Sequence, residues 1–106
     1  MTAEALRVLL AENPLTLLYF TSPTCSVCKV LRPKVEALIA ENPLWHFEYI
    51  NTDESREIAG QRLIFAVPTL LFMAEGREIT RHSRHFGMHD LEKILNRYSK
   101  IYGESS

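Results

Sequence analysis

Long hydrophobic runs are missing from this chain. None approaches the ~18 apolar residues that a membrane-spanning helix needs. An excess of charge of either sign is missing too. Twelve lysines and arginines stand against 13 aspartates and glutamates, a net charge of −1. No bulk field therefore draws the chain to nucleic acid or anionic lipid. Glycine (4) and proline (5) are too few for a collagen-like repeat or a low-complexity tail. Two cysteines in 106 residues exclude a disulfide-dense mini-protein. A secretion signal is not legible. Its apolar stretch would run for about 7–15 residues after a basic start, whereas Val8, Leu9, Leu10 and Ala11 are ended by Glu12. A cytoplasmic protein with neither membrane nor nucleic acid as a partner is the expectation.

What is present is ordinary globular composition, 46% hydrophobic and 24% charged. A chain of 106 residues predicts a single domain, 1–106, with one core that needs no staples. Apolar periodicity then switches repeatedly between helix and strand. Ala3, Leu6, Leu9 and Leu10 share a helical face, with Thr2 as N-cap and Asn13-Pro14 as the stop. Leu15–Phe20 is nearly all apolar, as suits a strand buried on both faces. From Cys25 to about Glu41, Cys28, Leu31, Val35, Leu38 and Ile39 recur at helical spacing. Pro33 lies inside that helix, where it removes a bond and predicts a kink.

His46–Asn51 alternates as a second strand. Thr52 or Asp53 is expected to cap a short helix ending at Gln61. Thr69–Met73 is a third strand, and Ala74-Glu75-Gly76-Arg77 a hairpin turn. Glu78 to about Arg84 is a fourth strand, charged as an edge strand should be. Asp90, Leu91, Ile94, Leu95, Tyr98 and Ile101 make the last helix, with Gly103–Ser106 expected to fray. The β-α-β half must cross over right-handed and give parallel strands. Placing the first strand between the second and third gives a four-stranded mixed sheet of order 2-1-3-4. Helices then flank both faces in an α/β architecture.

The two cysteines, Cys25 and Cys28, are spaced C-x-x-C. In a reducing compartment such a pair is more often redox-active or metal-binding than a structural staple. Alone it is a weak signal. Here it opens a helix, is followed by Lys29 and Pro33, and is joined forty residues on by Val67-Pro68-Thr69 at the head of a strand. Asn51 and Asp53 close the preceding strand, Gly76 sits in the hairpin and Gly87 precedes the last helix. In these features the chain resembles the thioredoxin family from Leu15 to about Tyr98. The family's usual first strand has no counterpart, since a helix comes first.

The resemblance implies a thiol–disulfide oxidoreductase that reduces protein disulfides and acts as a monomer without a cofactor. A recycling reductase, such as a thioredoxin reductase, would restore it. Cys25 would be the attacking thiolate, stabilised by the helix N-terminus, and Cys28 the resolving thiol. The resemblance also implies a cis bond before Pro68. Val67, Pro68, Thr24, Phe86 and Gly87 would then border the substrate groove. A redox sensor or adaptor on the same fold is the other reading.

Departures from the family fall on the tuning positions. Ser26 and Val27 replace the usual Gly-Pro between the cysteines, and Ser26 could donate to the Cys25 sulfur. Tyr19 stands where the family buries an aspartate that serves the second cysteine, and Tyr49 where a lysine accompanies it. No Gly-Gly follows the proline strand, which disfavours a glutathione site. His46 is expected at the surface, and His82, His85 and His89 on a solvated edge strand and helix start rather than at a metal site. Trp45 should stand roughly 20–25 Å from the sulfurs, beyond the far end of a helix that rises ~1.5 Å per residue.

Overall fold

Thr2 opens the first helix, α1 (Ala3–Glu12). Its Oγ1 accepts the Ala5 N–H at 3.0 Å and so satisfies one of the free donors of the first turn. Asn13 closes the helix, its backbone N–H and Nδ2 both donating to the Leu9 carbonyl. The computed structural model describes residues 1–83 and 86–104. After α1 follow β1 (Leu15–Thr21), α2 (Ser26–Ala40), β2 (Trp45–Asn51), α3 (Arg56–Gln61), β3 (Thr69–Ala74), β4 (Arg77–Ser83) and α4 (Met88–Glu104).

The sheet has the order β2-β1-β3-β4 expected from the sequence. β1 runs parallel to β2 and antiparallel to β3, and β3 and β4 form an antiparallel hairpin. All seven residues of β1 are buried, because this strand has neighbours on both edges and helices on both faces. Side chains alternate across it. Leu15, Leu17 and Tyr19 join Leu70, Phe72, Ala74 and Trp45 beneath Val35 of α2 and Leu91 and Leu95 of α4. Leu18 and Phe20 join Ile50, Leu71 and Met73 above Leu6 and Leu10 of α1 and Ile58 of α3. In the hairpin, Glu75 and Gly76 take φ of 54° and 79°, the left-handed pair that a tight two-residue turn requires.

Three local expectations need correction. The turn after β2 does not start a helix at Thr52 or Asp53. The Asp53 N–H bonds instead to the Asn51 side-chain oxygen at 2.8 Å, a local turn that competes with helix, so α3 begins only at Arg56. Its N-cap, Ser55, makes no side-chain cap bond. At the C-terminus, α4 runs on through Gly103 to Glu104 rather than fraying at Gly103. The third correction concerns His82, which is not a solvated edge residue. Its ring meets Phe72 edge-on at 5.9 Å and Phe86 at 5.8 Å, and its Nε2 is buried without a hydrogen-bond partner among the described residues. Arg84 and His85 lie outside the described residues. His46 is half-buried and pairs with Glu48 at 3.0 Å, and His89 is exposed. No helix among the described residues is long and apolar enough to cross a membrane.

Candidate active site

The end of β1 delivers the chain to a short polar turn, Ser22-Pro23-Thr24, where the Cys25 N–H returns to the Ser22 carbonyl at 3.2 Å. Cys25 is therefore the N-cap of α2 rather than its first helical residue. Its Sγ accepts the Cys28 N–H at 3.2 Å, as an N-cap oxygen would. Among the described residues this N–H, not the Ser26 hydroxyl, is the donor to the Cys25 sulfur. Cys28 lies one turn further along and is 0% exposed, while Cys25 is half-buried. The two are joined by a disulfide, with Cα atoms 5.3 Å apart. That separation sits inside the range a disulfide spans without backbone movement. Once reduced, Cys25 would meet the unpaired N–H groups and positive dipole end of α2, which favour a thiolate.

Tyr19 points up from β1 beneath this turn. Its hydroxyl donates to the Cys28 carbonyl at 2.8 Å, in a fully buried setting. Its ring lies 5.1 Å from that of Tyr49 and 5.9 Å from that of Phe47. Burial, and secondarily Tyr49, hold its hydroxyl well above the ordinary tyrosine range, against a weaker opposing pull from Arg32. At neutral pH Tyr19 is thus a hydrogen-bond donor and not a base. Tyr49 in turn donates to Thr21 Oγ1 at 3.2 Å and carries the Arg32 guanidinium 3.8 Å above its ring. The pair of positions that would hold a carboxylate and a lysine is filled by two phenols in tilted ring contact.

The Val67–Pro68 peptide bond is cis. Val67 is half-buried and packs into the same core cluster as Cys25 and Cys28, as does Phe86. Pro68 is buried at the head of β3. Gly87 stands exposed just before α4, its N–H bonded to Asp90 Oδ2 at 3.4 Å. Thr24, Ser26 and Val27 are exposed around the disulfide. Among the described residues no group of three or more His, Cys, Asp or Glu side chains could hold a metal.

Two features beside the disulfide were not read from the sequence. On one flank of α2, Val27 and Val30 are 60% and 65% exposed and, with Ser26, Leu31 and Lys34, line an apolar depression of about 340 Å³. On the other flank, Lys29 and Arg32 face a crevice of about 380 Å³ closed by Thr21, Ser22, Pro23, Tyr49 and Asn51. The i, i+3 spacing of Lys29 and Arg32 signals a shared face. The strand ends that complete the crevice come together only through the parallel pairing of β1 and β2.

Comparison with known proteins bears directly on this geometry. The family model described as Thioredoxin matches residues 1–97. The thioredoxin-like protein YdfQ of Bacillus subtilis is 30% identical over 86% of this chain and 81% of its own length. A thioredoxin of Chlamydia trachomatis is 33% identical over 81% of each. Among solved structures, the thioredoxin of Fasciola hepatica superposes with a TM-score of 0.83 at 33% identity, covering 91% of this chain and 93% of that one.

Proposed function

The chain belongs to the thioredoxin family, and from that premise we propose that it reduces disulfides in protein substrates with the Cys25/Cys28 dithiol. The observation that carries the reading is the disulfide itself, set at the N-terminus of α2 with one sulfur half-exposed and the other buried. A nucleophile must be reached by substrate, and a resolving thiol must be shielded from it.

In the reduced protein the Cys25 thiolate attacks one sulfur of the substrate disulfide. The second substrate sulfur leaves as a thiolate and takes a proton from water. Cys28 then loses its proton to water or hydroxide and attacks the Cys25 sulfur. The substrate's remaining thiolate departs, and the Cys25–Cys28 bond seen here is formed. The substrate gains two electrons and the protein loses two. A recycling dithiol reductase would return them, which suits a reducing, cytoplasmic setting. Val67 and the cis Pro68, with Thr24, Phe86 and Gly87, would present backbone to an extended substrate segment in the manner of an added strand. Ser26 and Val27 would set the potential through the turn they occupy.

A second reading, a redox sensor or adaptor acting as a monomer on one partner, draws support from Tyr19. The buried hydroxyl there offers no base to Cys28 near neutral pH. Reduction of insulin coupled to a recycling reductase separates the two. Sustained turnover supports the reductase, whereas a single stoichiometric turnover with no cycling favours the sensor.

A further inference from the structure

The crevice on the Lys29 flank has the chemistry of a carboxylate pocket. Lys29 and Arg32 stand together on one face of α2 at i, i+3. Arg32 is already engaged, bonded to Glu36 at 2.6 Å and stacked over Tyr49 at 3.8 Å, so its fork is held in place. Lys29 is exposed and makes no ion pair among the described residues. Thr21, Ser22 and Asn51 add hydroxyl and amide groups to the rim. No carboxylate lines the crevice: Asp53 and Glu54 of the following turn are exposed outside it, and Glu36 meets it only through its pair with Arg32. The crevice opens at the carboxyl ends of the parallel strands β1 and β2, the place where open α/β sheets take ligands. Its rim includes Ser22 and Pro23 of the turn that leads into Cys25. Lys29 lies four residues after Cys25 along α2, about 6 Å of helix rise.

We propose that this crevice is a specificity pocket for an acidic side chain carried close to the reactive cysteine of the disulfide substrate. The proposal rests on the reductase reading and names its preferred substrate class. Substrate held at Cys25 by a mixed disulfide runs within reach of Lys29. A glutamate or aspartate there completes the unpaired lysine, with Arg32 as the fixed second cation. A lysine in that place meets the like charge of Lys29, with Arg32 offset by its pair to Glu36.

The test uses disulfide-linked dimers of one short peptide carrying Glu, Gln or Lys two positions after its cysteine. Their second-order reduction by the reduced protein is followed by thiol release. An exposed ion pair of ordinary strength predicts Glu over Gln by about two- to fivefold, and Gln over Lys by a similar factor. The ratios should shrink toward one at about 0.5 M salt, where the screening length falls to a few ångströms. Lys29→Gln should bring the ratio of the Glu to the Gln rate close to one, whatever its effect on the common rate. Equal rates for Glu and Gln, or a Glu preference undiminished in Lys29→Gln, would overturn the pocket and leave the reductase reading intact. Failure to reduce any of the peptides would overturn the reductase reading. Binding of the same peptides with Ser in place of Cys, followed by amide shifts at Lys29 and Asn51, then decides the pocket. Tighter binding of the Glu peptide supports it, and equal binding overturns it.

Discussion

On one face of the sheet, Leu18, Phe20, Leu71 and Met73 meet the aliphatic side chains of α1 and α3. On the other, Tyr19, Trp45 and Phe72 meet α2 and α4 together with the disulfide. The same strands supply both sets by simple alternation. Yet the buried polar groups carried on rings, the Tyr19 hydroxyl, the Trp45 indole and His82 Nε2, lie on the second face, whereas the first buries small hydroxyls, Thr16 and Thr69, each bonded to a carbonyl three residues away. The first face is filled mainly by apolar area, at roughly 25 cal/mol per Å² removed from water, with its few hydroxyls satisfied locally. The second must also satisfy polar rings through contacts between separate elements and hold two sulfurs at bonding distance. A fold of this kind can divide its work, with one face contributing stability and the other contributing chemistry along with its share of stability.

The largest expected effect breaks the chemical face without touching the other. Cys25→Ser should abolish insulin reduction, while Cys28→Ser should trap mixed disulfides that are visible by mass. Brief alkylation of the reduced wild type at neutral pH should label Cys25 first, and preferential labelling of Cys28 would sink the assignment.

Next comes the aliphatic face. Leu18→Ala, at a fully buried position, should cost about 2–5 kcal/mol in denaturant unfolding. Activity per folded molecule should stay unchanged. If activity falls further than the folded fraction does, the two faces are coupled and the division fails.

Tyr19 sharpens the comparison from within the chemical face. Tyr19→Phe removes one buried hydrogen bond, worth about 0.5–1.5 kcal/mol. Because the wild-type hydroxyl titrates well above the ordinary tyrosine range and phenylalanine has none, neither protein changes charge at this position between about pH 6 and 9. The variant's stability deficit and its pH–rate profile should therefore be flat relative to wild type across that window. Tyr19→Asp should instead raise turnover near neutral pH by giving Cys28 a base, although burying a carboxylate costs several kcal/mol. The base hypothesis is falsified if Tyr19→Asp folds normally and turns over no faster.

The smallest effect is an expected absence of change. Trp45 begins β2, beyond the C-terminal end of the 15-residue α2 whose N-cap is Cys25. Its steady-state emission should barely differ between oxidised and reduced protein, with reduction confirmed by thiol count. A large change would mean that the fold rearranges with redox state and would favour the sensor.

Most of the architecture was legible because local chemistry and tertiary structure agree. Thr2, Asn13-Pro14, Gly76 and the apolar run of β1 each specify their element without help. The C-x-x-C pair and Val67-Pro68 were legible as a motif whose geometry the resemblance supplied. What escaped depends on contacts between distant segments. Asn51 takes the Asp53 N–H and delays α3, an outcome that competing side-chain caps do not decide from sequence. His82 alternates inward because β4 pairs it with Leu70, placing a polar ring against Phe72. The Lys29–Arg32 crevice needs Thr21 and Asn51, two strand ends 30 residues apart that the parallel register sets side by side.

The single tryptophan has one further consequence. Its indole N–H donates to the Leu95 carbonyl at 3.0 Å, within a residue only 3% exposed, tying the start of β2 to the middle of α4. One tryptophan means one indole proton signal in a nuclear magnetic resonance spectrum, with no assignment needed. Solvent reaches that proton when the contact between β2 and α4 opens. Its deuterium exchange rate therefore reads the free energy of opening the chemical face directly, in native buffer and in either redox state.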